Sequence, residues 1–255
     1  MVCFRKKALP PNIDQAQVTL DGEKLKFEDE TSFLGITVDC YLNWDKHCTK
    51  VANTISRNNS IINRVRNILP PSSLKLLYYS FIQPHLQYGL TAWGGCSGQN
   101  RNRITAIQKR AIRTITKSYY MSHTEPRMKQ IGILKLDDLY KQQCLMLTYD
   151  CINDSAPNQI KQLMIKEKNP VFNLRNHTQN PLNLKIPILK TRVGSNSFSI
   201  KGPTIWNGIP NEMKCINRRS NFKNAVKKKI LQGYNCKCEC NNPRCTDKQH
   251  HQNTT

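Results

Sequence analysis

The chain has 255 residues, with 39 lysines and arginines against 17 aspartates and glutamates, for a formal net charge of +22. That length holds one large domain or two small ones with ample core, and such a charge surplus resists compaction and draws polyanions, nucleic acid first among them. A membrane-spanning helix is not expected, because no run of about 18 uninterrupted apolar residues exists; the most apolar tract, Leu74 to Trp93, is broken by Gln83, Pro84, His85 and Gln87.

At the start of the chain Arg5, Lys6 and Lys7 lead into Pro10 and Pro11 rather than an apolar run. No secretory signal is expected from that pattern, and an intracellular, reducing location is. The eleven cysteines are then not a disulfide framework. Cys3, Cys40, Cys48, Cys96, Cys144, Cys151 and Cys215 are scattered and expected to be ordinary semi-buried residues. Val18–Leu20, Asp21-Gly22 and Leu25–Phe27 spell a β-hairpin, since Asp-Gly supplies the positive φ of a tight turn. Phe33–Val38 reads as a third strand, interrupted at Gly35 by a bulge or a close backbone approach. Asn43-Trp44-Asp45 stops the sheet and caps a helix. The hairpin before Thr31 is expected to be less well packed than the helices after Lys46.

From Lys46 to Ile68 the residues Val51, Ile55, Ile62, Val65 and Leu69 recur at helical spacing, with Arg57, Arg64 and Arg66 on other faces. Leu69-Pro70-Pro71-Ser72-Ser73 closes this helix and opens the next, with a serine as N-cap. Leu74, Leu77, Tyr78, Phe81 and Ile82 form its buried stripe, and Pro84 kinks or ends it. After a Gly-rich loop, a helix over Asn102–Lys117 buries Ile104, Ile107, Ala111, Ile112 and Ile115. Around it stand Arg101, Arg103, Lys109, Arg110, Arg113 and Lys117, with no acid among them. A charged helix face is ordinarily just solvated. An all-positive one lacks compensating i,i+4 acids, repels itself and seeks an anion. Leu134–Ile152 is a further helix, and 169–199, rich in Asn and Pro, is expected to be extended or irregular. Ser220 is expected to cap a last helix in which Phe222, Val226 and Ile230 dock while Lys223, Lys227, Lys228 and Lys229 stay wet.

In this order the chain resembles the C-terminal part of a non-LTR, LINE-type reverse transcriptase of the jockey-like kind. The stretches that carry the resemblance are FLGITVD (33–39), LNWDKH (42–47), LPPSSLKLLYYSFIQPHLQYGLTAWG (69–94), IQKRAIRTIT (107–116), HTEPRMKQIGILKLDDLY (123–140), GPTIWNGIP (202–210) and SNFKNAVKKKIL (220–231). The resemblance implies a mainly α fold with a small N-terminal antiparallel β element, a helical thumb-like bundle and an irregular C-terminal region. It implies a palm-edge remnant over 1–40 with Phe33, Leu34 and Gly35 as a primer-grip-like element. A thumb-like domain over 41–155, a C-terminal region over 156–235 and a Cys/His-rich tail over 236–255 follow. In a thumb, basic helices track sugar-phosphate backbone and grip without reading sequence. Arg57, Arg64, Arg66, Arg101, Arg103, Lys109, Arg110, Arg113 and Lys117 are the phosphate contacts expected here, on RNA, DNA or an RNA–DNA hybrid.

Polymerisation needs carboxylates holding two Mg²⁺ ions about 3.5–4 Å apart. The family supplies them from an Asp-Asp hairpin of the palm. Asp137-Asp138 follows Lys135-Leu136 and opens a helix, where acids suit the dipole; it is not expected to be catalytic. Met1-Val2-Cys3-Phe4 resembles the inside of a palm strand, so the chain alone is expected to lack catalytic residues, to need no cofactor of its own and to polymerise nothing. Mg²⁺ is expected only for a complete polymerase. No Walker-type glycine loop and no Gly-x-Ser-x-Gly elbow is present, and His47, His85, His123 and His177 are dispersed. Cys236, Cys238, Cys240 and Cys245 with His250 and His251 raise the question of zinc. Cys240-x₄-Cys245-x₄-His250 is only loosely knuckle-like, and a disordered tail is the preferred reading. The readings that follow are a polymerase remnant that keeps its nucleic-acid surface, a repurposed RNA- or DNA-binding module, and a part of a longer active polymerase. A protein–protein scaffold is the remaining alternative, with Trp93 and Trp206 as exposed anchors.

Overall fold

Two glycine-containing dipeptides near the N-terminus both turn the chain. The computed structural model describes residues 2–4, 18–164 and 182–234. β1 (Thr19–Leu20) and β2 (Glu23–Lys24) pair antiparallel, with Thr19 opposite Lys24. Asp21 (φ 50°) and Gly22 (φ 84°) take the left-handed conformation between them, the two-residue turn whose twist matches its strands. The strands end at Lys24, with one further bond from Leu25 N–H to Val18 O at 2.9 Å, so most of the expected strand Leu25–Phe27 does not form, and every residue of β1 and β2 is exposed.

The second turn corrects the sequence reading. Phe33–Val38 is not one strand with a bulge. β3 (Glu30–Phe33) and β4 (Ile36–Asp39) form a hairpin, with Phe33 opposite Ile36 and Glu30 opposite Asp39. Leu34 (φ 47°) and Gly35 (φ 78°) make its turn. Gly35 accepts that conformation freely, whereas leucine does so at a cost. The Tyr88 hydroxyl holds the turn by donating to the Leu34 carbonyl at 2.5 Å. Asp39 then secures the exit: its carboxylate accepts from the backbone N–H of Tyr41 (3.0 Å), Asn43 (3.1 Å) and Trp44 (2.9 Å).

α1 (Asp45–Arg64) starts after Trp44, itself left-handed at φ 67°. Its buried stripe is His47, Cys48, Val51, Ala52, Ile55, Asn59 and Ile62. α2 (Pro71–Phe81) has Pro70, not a serine, at its N-cap, and Pro71 suits its first position because proline presets the first-turn φ and lacks an N–H that would have no partner there. Leu74, Tyr78 and Ile82 of the expected stripe are fully buried, while Phe81 is exposed. α3 (Gln83–Gln87) begins at the kink expected from Pro84 and leads to α4 (Leu90–Trp93). α5 (Gly98–Ile115) is entered by Ser97, whose hydroxyl accepts from Asn100 N–H at 3.3 Å. α6 (Thr124–Ile131), not expected from the sequence, precedes α7 (Leu136–Ile152).

The helices up to the start of α7 bury one core containing Ile55, Ile62, Tyr78, Trp93, Ile104 and Ile112, closed at its far side by Tyr234. Gln108 knits it: its amide donates to Tyr78 Oη and to Leu134 O, each at 2.9 Å, and its carbonyl accepts from Leu136 N–H at 2.9 Å. The other core joins Leu145, Met146 and Tyr149 of α7 to Leu184, Trp206, Phe222 and Val226. α8 (Asn158–Lys161) lies against α7 and α9 (Arg192–Ser195) against α10 (Phe198–Asn207), which contributes to this core with α11 (Asn211–Lys214) and α12 (Arg219–Gln232). Tyr149 stacks on Phe222 with ring centroids 4.6 Å apart.

Of the span expected to be irregular, 169–181 lies outside the described residues, 182–191 carries no helix or strand, and α9 with the start of α10 is helical. α12 is entered from Arg218, so Ser220 lies in its first turn and is not its cap. Lys227 is half-buried rather than wet, and burial, then Lys75 and Lys223, lowers its pKa. Trp93 and Trp206 are both buried, which removes them as exposed anchors. Their indoles donate to Tyr88 O (2.8 Å) and Leu182 O (2.9 Å). The free thiols of Cys40, Cys48, Cys96, Cys144 and Cys151 are buried, Cys3 is half-buried and Cys215 exposed.

Candidate nucleic-acid interface

α1 and α5 form the most extensive of the described helix pairings. Near the start of α5 the contact is close. Arg103 donates to Thr49 Oγ1 at 3.2 Å and to Asn53 Oδ1 at 3.5 Å, and Asn100 bonds to Asp45. Toward the other end of both helices a groove opens, with a volume of about 780 Å³. Its α1 wall is Ser56, Asn59, Ser60 and Asn63, a polar stripe at i, i+3, i+4 and i+7, with Arg64 and Arg66 beyond it. Its α5 wall is Ala106, Lys109, Arg110, Arg113 and Thr114. The turn after α5 closes one end through Ser118, Tyr120 and Met121.

Five cations thus line the groove, and no acid does. Local hydrogen bonds occupy several of the small hydroxyls: Ser60 donates to Ser56 O and Thr114 to Arg110 O, each at 3.1 Å. Arg113 is half-buried and donates Nε–H to Ser122 O at 3.0 Å. Burial pulls its pKa below the ordinary arginine value. Placing positive charges together at a partly desolvated surface is unfavourable unless an anion compensates them.

The structure therefore gathers Arg64, Arg66, Lys109, Arg110 and Arg113 of the nine expected phosphate contacts. The other four lie elsewhere. Arg57 shares a separate shallow surface with Lys50, Asn53 and Thr54. Arg101 donates to Cys96 O (3.1 Å) and pairs with Asp137 (3.5 Å), and Arg103 is occupied by α1. Lys117 is exposed beyond the end of α5 in a left-handed conformation. Sequence reasoning missed Asn59, Tyr120 and Met121. The Ser/Asn stripe of α1 carried the signal for Asn59: a second helical periodicity opposite the apolar one.

Against known proteins, 127 residues are 29% identical to the probable RNA-directed DNA polymerase from transposon BS of Drosophila melanogaster, covering 48% of this chain and 14% of that protein. A stretch of 125 residues is 26% identical to the RNA-directed DNA polymerase from mobile element jockey of the same fly, covering 48% and 14%. The jockey polymerase of Drosophila funebris is 23% identical over 147 residues, covering 56% and 16%. The chain is similar to jockey-like transposon polymerases. No family model and no solved structure matches it.

The primer-grip-like residues of the jockey-like resemblance sit at the tip of the β3–β4 hairpin. Phe33 is 68% and Leu34 73% exposed, and the hairpin is tied to the start of α1. Lys50 donates to Thr37 Oγ1 at 2.8 Å, and Thr37 N–H donates to His47 Nδ1 at 3.4 Å. Asp137 and Asp138 lie in the first turn of α7. Asp138 is buried, accepts from Tyr234 Oη at 2.8 Å and pairs with Lys141 (3.0 Å) and Lys135 (3.7 Å), which is a structural set of bonds. Among the described residues no three His, Cys, Asp or Glu side chains converge in a way that fits a metal, so no step through Mg²⁺ is derived from them. Cys236, Cys238, Cys240, Cys245, His250 and His251 lie outside the described residues. No described helix is long and apolar enough to cross a membrane.

Proposed function

We propose that the chain is a thumb-like, nucleic-acid-gripping portion of a jockey-like reverse transcriptase. In this reading it binds RNA, DNA or their hybrid inside the cell through phosphate contacts, and the carboxylates and Mg²⁺ of nucleotide addition belong to other parts of such an enzyme. The observation that carries the proposal is the groove between α1 and α5, where five cations meet without an acid. Lys109, Arg110 and Arg113 follow helical spacing along one wall while Arg64 and Arg66 face them from the end of the other. That arrangement suits successive phosphates, whose neutralisation releases counterions. The names of the relatives support the polymerase connection, and the order of the matching stretches supports the thumb position.

Fluorescence anisotropy on a labelled duplex, read from about 50 to 200 mM salt, tests this. Affinity is expected to fall linearly on a log–log plot, and the Lys109→Ala, Arg110→Ala double variant is expected to lower that slope by about two. A slope unchanged by the double variant, or no binding at the lowest salt, would overturn the proposal.

A further inference from the structure

We propose that the groove, whose cations can grip phosphates of either form, takes an unpaired strand in preference to a duplex, with a base stacked on Tyr120 and an N–H or O–H of the same segment donating to Asn59 Oδ1. This rests on the groove being a nucleic-acid interface. It adds which form of nucleic acid enters.

Two features of the groove are not explained by phosphate contact. The first is Asn59. It lines the groove, is only 5% exposed, and its Oδ1 is closed to solvent with no hydrogen-bond partner, so a strand reaches that oxygen once the side chain turns toward the groove. A buried acceptor left unsatisfied is costly, and native structures rarely keep one without a reason. A phosphate cannot satisfy it, because a phosphodiester offers only acceptors. Base imino and amino groups can, and so can a ribose 2′-hydroxyl, which is both donor and acceptor.

The second feature is Tyr120, 76% exposed at the closed end beside Met121. An aromatic face presented to solvent next to arginines is the stacking platform typical of single-strand binders. In a duplex the base faces are already stacked on one another and unavailable. The turn that carries Tyr120 is braced to α5 by Ser118 N–H donating to Arg113 O at 3.0 Å and by the Thr116–Ser118 hydroxyl contact at 2.7 Å. The backbone at the start of that turn is therefore held close to the cations of α5. With about 780 Å³, the groove lies within the range of small-molecule-sized sites, enough for a nucleotide and its neighbouring phosphates.

The probes are labelled RNA and DNA single strands of about 12 nucleotides with one mixed sequence, and the corresponding duplexes. Tyr120→Ala is expected to weaken both single strands about fivefold or more while leaving the duplexes within about twofold. Asn59→Leu, which replaces the unsatisfied acceptor with an apolar group of similar size, is expected to weaken single strands while keeping or raising the melting temperature. A loss confined to RNA identifies the 2′-hydroxyl as the donor. An equal loss on RNA and DNA identifies a base.

Wild-type binding that Tyr120→Ala weakens equally on strands and duplexes, or not at all, overturns the proposal and leaves the electrostatic reading standing. Unchanged single-strand affinity in Asn59→Leu removes Asn59 from the site. If the wild type binds none of the four probes, the electrostatic reading itself has failed.

Discussion

Two regions of this molecule carry clustered positive charge, and they treat it in opposite ways. At the start of α7 and the first residue of α12 the cations are matched. Lys135 meets Glu125 at 3.0 Å, Lys135 and Lys141 flank Asp138, and Arg219 forks onto Asp150 with bonds of 2.6 and 2.8 Å. In the α1–α5 groove five cations have no acid beside them. The same residue types serve the fold in one place and stand ready for a ligand in the other. A positive patch is informative only once its internal partners are known.

The largest effect belongs to the matched region. Asp138→Ala removes the carboxylate that Tyr234, Lys135 and Lys141 share in a buried position, and should cost about 3 kcal/mol in denaturant unfolding. The salt slope of nucleic-acid binding should stay as it was. If the slope changed with stability, the two regions would not be separable.

Giving the groove its own acid should make it resemble the matched region. Asn63→Asp lies on the α1 wall opposite α5, and neutralising about one phosphate contact should weaken duplex affinity about tenfold near 0.1 M salt. The melting temperature should hold or rise. At the smaller end, Arg219→Ala breaks an ion pair whose arginine is exposed and should cost about 1 kcal/mol in the same unfolding assay, with binding unaffected.

The smallest effect is a pH dependence. His47 is buried against Trp93, ring centroids 5.5 Å apart, and burial, then Lys50, lowers its pKa. Its folded value lies below the unfolded one near 6.5, so the unfolded chain binds more protons in the window between them. Its contribution to stability is complete above about pH 6.5 and is lost as pH falls through the folded value. Thermal melts from pH 7.5 downward should show this decline, and His47→Gln should flatten it. Arginine charge is constant in that range, so binding through the groove should not follow the melts.

Much of the helical frame was readable in advance, because Val51, Ile55, Ile62, Leu74, Tyr78 and Ile112 repeat at the spacing of a buried face and Pro84 marks its own kink. The cations were readable as a set, but not which of them meet. Arg103 lies on the same helix as Arg110, yet Thr49 and Asn53 lie within its reach and the groove does not. The Leu34-Gly35 turn was missed because a leucine in left-handed backbone depends on Tyr88, 54 residues away. Asn59 was missed because a polar residue inside a helix ordinarily faces water, and here it does not. The tryptophans were misplaced because their burial depends on the long-range partners Tyr149, Phe222 and Leu182 in one case and His47 in the other.

Tyr234 also sets a timetable for synthesis. Its hydroxyl reaches Asp138 across 96 residues of chain and accepts from Lys135 N–H at 3.0 Å. A ribosome adding about 5–20 residues per second needs about 5–20 s to make that intervening chain. Throughout that interval the first core lacks the ring that closes it, and Asp138 lacks one of its partners. The helices made first are therefore finished last, and the nascent chain carries an open apolar seam, a surface for chaperones, until its far end arrives.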